Sequence, residues 1–122
     1  MKNKYLYIAL GLGLLVAAYL IFGSVSPNQK KLNDLAACMG EKGVKMYGAF
    51  WCPHCNDQKA LFGSSFSKIQ YIECSTPDGK AQLQVCKDAQ IEGYPTWEFP
   101  NGIRASGELT PETLAEKSGC TY

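Results

Sequence analysis

An α/β fold, with a central mixed β-sheet flanked by helices behind one N-terminal transmembrane helix, is predicted by three observations. Residues 5–22 form an uncharged apolar run close to the start of the chain. Stretches rich in β-branched and aromatic residues recur at 44–50, 69–74, 96–99 and 103–106, with turn-forming residues nearby. Segments with helix-start and helix-stop signals lie around them, so the order reads helix, strand, helix, strand, helix, strand, strand, helix. A βαβ crossover followed by a hairpin and a last helix gives a mixed sheet with helices on both faces.

Lys2 and Lys4 precede the apolar run, whose eighteen residues carry no charge. As a helix it spans about 27 Å, close to the thickness of a bilayer core. That length favours a retained anchor over a cleaved signal peptide, whose apolar core is shorter. Gly23-Ser24-Val25-Ser26 supplies small residues for the cleavage alternative, and either way the bulk of the chain is exported. Positive charge before the span places the N-terminus in the cytoplasm and the rest outside it, in the periplasm or at the cell exterior, although Lys30 and Lys31 weaken the asymmetry. Tyr5, Tyr7 and Tyr19 sit near the ends, where amphipathic rings favour the membrane interface. Ala9, Gly13 and Ala17 share one face, a spacing that permits close packing on another membrane helix and is also ordinary in any span. The organisation is thus an anchor at 1–23, a Gly/Ser/Pro linker at 24–29 and a globular domain at 30–122.

Within the domain, Leu32, Leu35 and Ala36 recur at helical spacing over 29–39, and Gly40 or Gly43 ends that helix. Residues 44–50 read as a buried strand, and good helix formers run from Asn56 to Phe62 before Gly63. Residues 69–74 alternate as a second strand, 75–79 turn, and 80–89 form a helix carrying Leu83, Val85 and Cys86. Pro95 opens the third strand, where proline is tolerated only at an end. Pro100-Asn101-Gly102 turns into the fourth. Thr110 caps the last helix with Pro111 in its first position, and Gly119 stops it.

The densest chemistry lies in Trp51-Cys52-Pro53-His54-Cys55. A cysteine at a helix N-terminus meets free backbone N–H groups and the positive end of the helix dipole, which together stabilise a thiolate. Pro53 falls where a missing N–H costs nothing, and His54, the sole histidine, can add a positive charge or a donor beside the Cys52 sulfur. The pair therefore reads as a redox-active dithiol. Half of a zinc site is one alternative, but it needs two further ligands, and Cys38, Cys74, Cys86 and Cys120 form no second C-x-x-C. No metal and no cofactor is assigned. A purely structural bridge is the other alternative, and so small a ring removes little loop entropy. Six cysteines suit an oxidising compartment. A formal net charge of +1, with scattered Lys and Arg and no basic stripe, excludes a nucleic-acid partner.

With C-x-x-C between the first strand and its helix, and Tyr94-Pro95-Thr96 opening a later strand, residues 30–120 resemble the thioredoxin superfamily. The resemblance implies a thioredoxin-like fold, a cis bond before Pro95, and a Tyr94 backbone that pairs with a substrate strand beside Cys52. On that reading Trp51, Tyr94, Pro95 and Thr96 form the substrate-binding set, and Cys52, Cys55, His54 and Pro53 the catalytic one. Thioredoxins carry a buried Asp where this chain has Met46, so proton removal from Cys55 falls to water or another group. The run 47–55, the Glu73-Cys74 strand end, Cys86 and Gly93-Tyr94-Pro95-Thr96-Trp97 look like the thioredoxin-like domain associated with bacterial vitamin K epoxide reductase homologues. That resemblance implies a separate membrane partner, vitamin K epoxide reductase-like or DsbB-like, that reoxidises the dithiol. The Pro-His dipeptide is similar to that of the strongly oxidising DsbA proteins, and a stabilised thiolate favours giving the disulfide away.

The other four cysteines permit three pairings. A Cys74–Cys86 bridge closes a short crossover and is the one the family resemblance favours. Cys38 and Cys120 then remain, at the ends of the domain. The functional alternative is that one of these pairs shuttles electrons to the dithiol. Trp51 and Trp97 are candidates to flank a peptide groove, with only Trp51 assigned a functional role. Phe50 and Phe99 are read as core, and Asp57 with Lys59 as a solvated face. The function expected is a membrane-anchored, extracytoplasmic thiol-disulfide oxidoreductase that donates disulfides to exported proteins. An anchored reductase or isomerase, for example one serving cytochrome c maturation, and a non-enzymatic metal-binding or scaffold domain are the alternatives.

Overall fold

The computed structural model describes residues 2–23 and 26–122, and divides into compact units at 1–30 and 31–122. In the first, α1 (Lys2–Phe22) is one continuous helix. Its segment Asn3–Ile21 is long and apolar enough to cross a membrane, by length and composition, and its large apolar side chains are exposed.

Helix α2 (Pro27–Glu41) begins two residues before the start predicted for it and ends two residues later. Ser26 accounts for the early start: its hydroxyl accepts a hydrogen bond from the Gln29 N–H at 3.2 Å, and Pro27 takes the first position. Residues 27–29, read as the end of a linker, are therefore helical, while 24 and 25 lie outside the described residues.

The domain then follows as β1 (Lys45–Gly48), α3 (Pro53–Phe62), a 3₁₀ segment (Gly63–Lys68), β2 (Gln70–Glu73), α4 (Gln84–Asp88), β3 (Thr96–Glu98), β4 (Arg104–Ser106) and α5 (Pro111–Ser118). The sheet order is β2-β1-β3-β4. β1 and β2 are parallel, joined through α3, whereas β3 runs antiparallel to β1 and to β4. This is the mixed sheet with flanking helices that the element order predicts.

The alternation of side chains along β1 divides the interior. Val44 and Met46 join the larger core, with Leu32, Leu35, Ala36 and Met39 of α2, Phe62 of α3, Trp97 and Leu114. Tyr47 belongs to a smaller cluster with Cys74, Cys86 and Ile91. Two sequence readings are corrected here. Trp97 is wholly buried, which removes it from any groove, and Phe50 is 49 % exposed rather than core. Phe50 follows the end of β1 and lies on the turn into α3, outside the sheet.

Helix α4 is half as long as the predicted one. Residues 75–82 instead make a tight loop closed by a Ser75–Gln82 bridge, in which the Thr76 hydroxyl donates to the Asp78 carboxylate at 2.6 Å and accepts from the Ala81 N–H at 3.1 Å. Local side chains satisfy the backbone there, so the helix starts only after Leu83.

Two disulfides brace the domain, Cys38–Cys120 and Cys74–Cys86, with sequence separations of 82 and 12. Replacing Cys38 and Cys120 together by Ser is expected to lower the free energy of unfolding by about 3–5 kcal/mol, since the long loop returns its entropy to the unfolded chain. Urea denaturation of the non-reduced protein measures this, with the far-ultraviolet dichroism of the native state expected to stay unchanged.

Candidate functional site

Strand β1 delivers the chain to the turn where Cys52 begins a helix. The Cys52 N–H donates to the Ala49 carbonyl at 3.0 Å, and Cys52 adopts an extended N-cap conformation (φ −78°, ψ 118°). Its sulfur accepts the Cys55 N–H at 3.4 Å, so Sγ performs the capping that Ser or Asp performs elsewhere. Pro53 occupies the first turn, and the Asn56 side chain ties the helix back to the Phe50 carbonyl at 3.2 Å.

Both motif thiols are free. Cys52 is 5 % exposed and Cys55 fully buried, so an incoming sulfur reaches Cys52 first. Burial pushes the Cys55 thiol up to about 12, reinforced by its hydrogen bond with Cys52 and eased in part by the Ala49 backbone and Lys59. Near neutral pH Cys55 is therefore a protonated reserve thiol.

Opposite the dithiol, the Tyr94–Pro95 peptide bond is cis and the Tyr94 carbonyl lies 3.7 Å from Cys52 Sγ. Pro95 is buried. Thr96 is buried too, and its hydroxyl donates to the Gly93 carbonyl at 2.8 Å, so it steadies this loop instead of facing solvent. Trp51, half exposed, meets Tyr94 edge-on with ring centroids 6.1 Å apart, and its indole N–H donates to the Ser75 hydroxyl at 2.9 Å. The Gln82 amide holds the Tyr94 hydroxyl at 2.8 Å. A cavity of about 230 Å³ lies beside these rings, lined by Trp51, Ser75, Lys80, Gln82 and Tyr94 among others. The Cys74–Cys86 bridge spans the segment that supplies Ser75, Lys80 and Gln82 to it.

His54 departs from expectation. Its exposed ring pairs through Nδ1 with the Glu108 carboxylate, in the loop before α5, so the sulfur is not the partner it finds. Asp57 stands nearby, and the ligand-type atoms of His54, Asp57 and Glu108 lie within 4.8 Å of one another on the surface.

Lys59 is also more than a solvated face. Its ammonium sits 3.6 Å from the centre of the Tyr71 ring. The Tyr71 hydroxyl donates to Glu73 Oε2 at 2.9 Å, while Glu73 Oε1 accepts the N–H groups of Ser75 (2.8 Å) and Phe50 (3.3 Å). Tyr71 and Glu73 are two apart on β2 and face the same side, in register with Met46 and Gly48 of β1. In the sequence 69–74 reads as a strand, Glu73 enters only through the family resemblance, and neither residue is assigned to the site. The signal was present in that spacing, on a strand pairing with the one that carries the motif.

Comparison with known proteins places this arrangement. No family model matches the sequence. Over 90 residues, 70 % of this chain, it is 46 % identical to a thiol-disulfide oxidoreductase, LTO1, of Arabidopsis thaliana. Over 93 residues it is 36 % identical to a thioredoxin domain-containing protein 5 homolog of Drosophila melanogaster. The fold is thioredoxin-like. The matched regions cover 23 % and 21 % of those relatives' own lengths, so the chain corresponds to less than a quarter of each.

The raised Cys55 thiol gives the reduced thioredoxin-like domain a specific pH dependence. An unfolded thiol ionises near 9 and the folded one only near about 12, so the folded state holds its proton longer. Stability of the reduced form should be full below pH 9 and fall as pH rises toward 12, relative to the form with Cys52 and Cys55 bridged. Denaturation midpoints of the two forms across that range measure the difference.

Proposed function

We propose that this chain is a membrane-anchored, extracytoplasmic thiol-disulfide oxidoreductase that donates disulfides to exported proteins. The observation that carries the reading is the position of Cys52, a sulfur capping a helix, more accessible than its partner and 3.7 Å from the Tyr94 carbonyl. The name of the Arabidopsis relative supports the same chemistry. The apolar length of α1 supports an anchor, and two further disulfides support an oxidising compartment.

The oxidised form carries a Cys52–Cys55 bond. A substrate thiolate attacks Cys52 Sγ, and Cys55 leaves with the electron pair of the broken bond. A second substrate thiolate attacks the substrate sulfur of the mixed disulfide and releases Cys52 as a thiolate. The substrate has lost two electrons and the dithiol has gained them. The Tyr94 backbone, beside Cys52, pairs with the extended substrate, and Trp51 bounds the cavity that takes a neighbouring side chain. Pro95 and Thr96 hold that backbone in place, and Pro53 keeps the first turn of α3 formed. His54 meets the approaching partner from the helix start. A membrane protein of the vitamin K epoxide reductase or DsbB kind then removes the two electrons and passes them to a quinone.

Two measurements test this. A Cys55→Ala variant is expected to accumulate mixed disulfides with exported proteins through Cys52, and a Cys52→Ala, Cys55→Ala variant to accumulate none; the absence of trapped species in the first removes the dithiol reading. Equilibration with glutathione sets the direction. A potential near about −120 mV fits a disulfide donor, and one near about −270 mV makes the protein a reductase.

A further inference from the structure

The exchange steps require a proton to leave or reach Cys55, which lies wholly inside the protein. The residues expected for the site supply no group for it: Met46, in register between Tyr71 and Trp97, is apolar, and His54 is turned to Glu108. The groups that face Cys55 come from two elements. Helix α3 contributes Cys52 and Lys59, and β2 contributes Tyr71 with Glu73 behind it.

Gly48 leaves the space between them open. A side chain there would begin 3.0 Å from Cys55 Sγ and 3.2 Å from the Tyr71 hydroxyl, so sulfur and hydroxyl share the space left by its missing Cβ. The two atoms are thus no more than about 6 Å apart, a gap that a single water can bridge. Tyr71 is itself held as a neutral phenol, its ionisation opposed by burial, by the hydrogen bond to Glu73 and by the negative charge of Glu73 and the thiolates. A neutral hydroxyl with a carboxylate acceptor on one side and a sulfur on the other is built to pass a proton without keeping the charge.

We propose that Tyr71 and Glu73 form the proton path of Cys55, with the Tyr71 hydroxyl as the relay, the Glu73 carboxylate as the base, and Lys59 as the balancing charge. This rests on the dithiol-exchange reading and adds a step to it. During reoxidation Cys52 is bonded to the sulfur of the oxidising partner. The Cys55 thiol then attacks Cys52 Sγ, a Cys52–Cys55 bond forms, and the partner sulfur leaves with the electron pair of the bond that breaks. The Cys55 proton passes to the Tyr71 oxygen as the Tyr71 proton passes to Glu73, which releases it to solvent. Disulfide donation follows the same path in reverse, so Cys55 leaves into a site able to return its proton. Glu73 acts through Tyr71 and is a positioning residue in that sense.

Stopped-flow reaction of the reduced protein with an aromatic disulfide reagent separates the two steps, because Cys52 attack releases one coloured thiolate and Cys55 attack releases a second. Tyr71→Phe keeps the ring that packs on Phe66 and Lys59, and Glu73→Gln keeps an acceptor for the Phe50 and Ser75 N–H groups. Each is expected to slow the second release by about 10–100-fold at neutral pH, within the range of general acid–base effects, while the first changes less than about twofold. The deficit should narrow as pH rises, and Glu73→Asp should recover part of the rate. Second-release rates and pH profiles matching wild type would overturn the proton path, and so would an equal slowing of both releases, which marks a structural role. Should Tyr71→Phe fail to fold, Glu73→Gln alone decides. A wild-type protein that gives no second release defeats the dithiol reading itself.

Discussion

Everything at the site depends on one sulfur taking the place of an oxygen at a helix cap. Cys52 Sγ satisfies the Cys55 N–H, which makes the start of α3 and the position of the reactive group a single structural fact. The rest of the domain serves that placement. β1 brings the chain up from the core, β3 begins at the loop whose Tyr94 carbonyl confronts the sulfur, and β2 supplies the polar side chains behind the second cysteine. The two motif cysteines consequently sit in unlike surroundings. One caps a helix, keeps a trace of exposure and lies against the Tyr94 carbonyl; the other is fully enclosed and made reluctant to ionise. Burial and a helix terminus separate their roles although their chemistry is identical.

The elements that carry the motif were legible because their signals are local. Proline after a capping residue marks the start of α3 and of α5, and glycine marks the ends of both helices. The predicted helix at 80–89 failed for an equally local reason. Thr76 and Asp78 capture the backbone of the following residues before helical bonds form, a competition that composition does not display. Phe50 and Trp97 show the limit on burial. Both are aromatics near strand ends, and only the turn after Gly48 and the pairing of Trp97 with Met46 decide that one is out and the other in.

Site residues divided along the same line. The dithiol, Pro95 and Trp51 announce themselves in the sequence, whereas Glu108, Lys59, Tyr71 and Glu73 reach the site through tertiary contacts 12 to 54 residues apart in sequence. The gap at Met46 was visible as a missing carboxylate, yet what fills its place stands on the adjacent strand. A single-chain reading can detect such a vacancy in the chemistry and still not locate its occupant, because register is a property of strand pairing.

The Cys38–Cys120 bridge joins the C-terminal part of α2 to the chain just after α5, both of which pack Leu, Ala or Met side chains into the larger core. With that link closed, neither helix can peel away alone, since displacing one drags the other. Amide hydrogens along the two helices should therefore exchange with solvent in a common event, and the least protected backbone of the domain should be found in the stretches that the covalent ring does not couple.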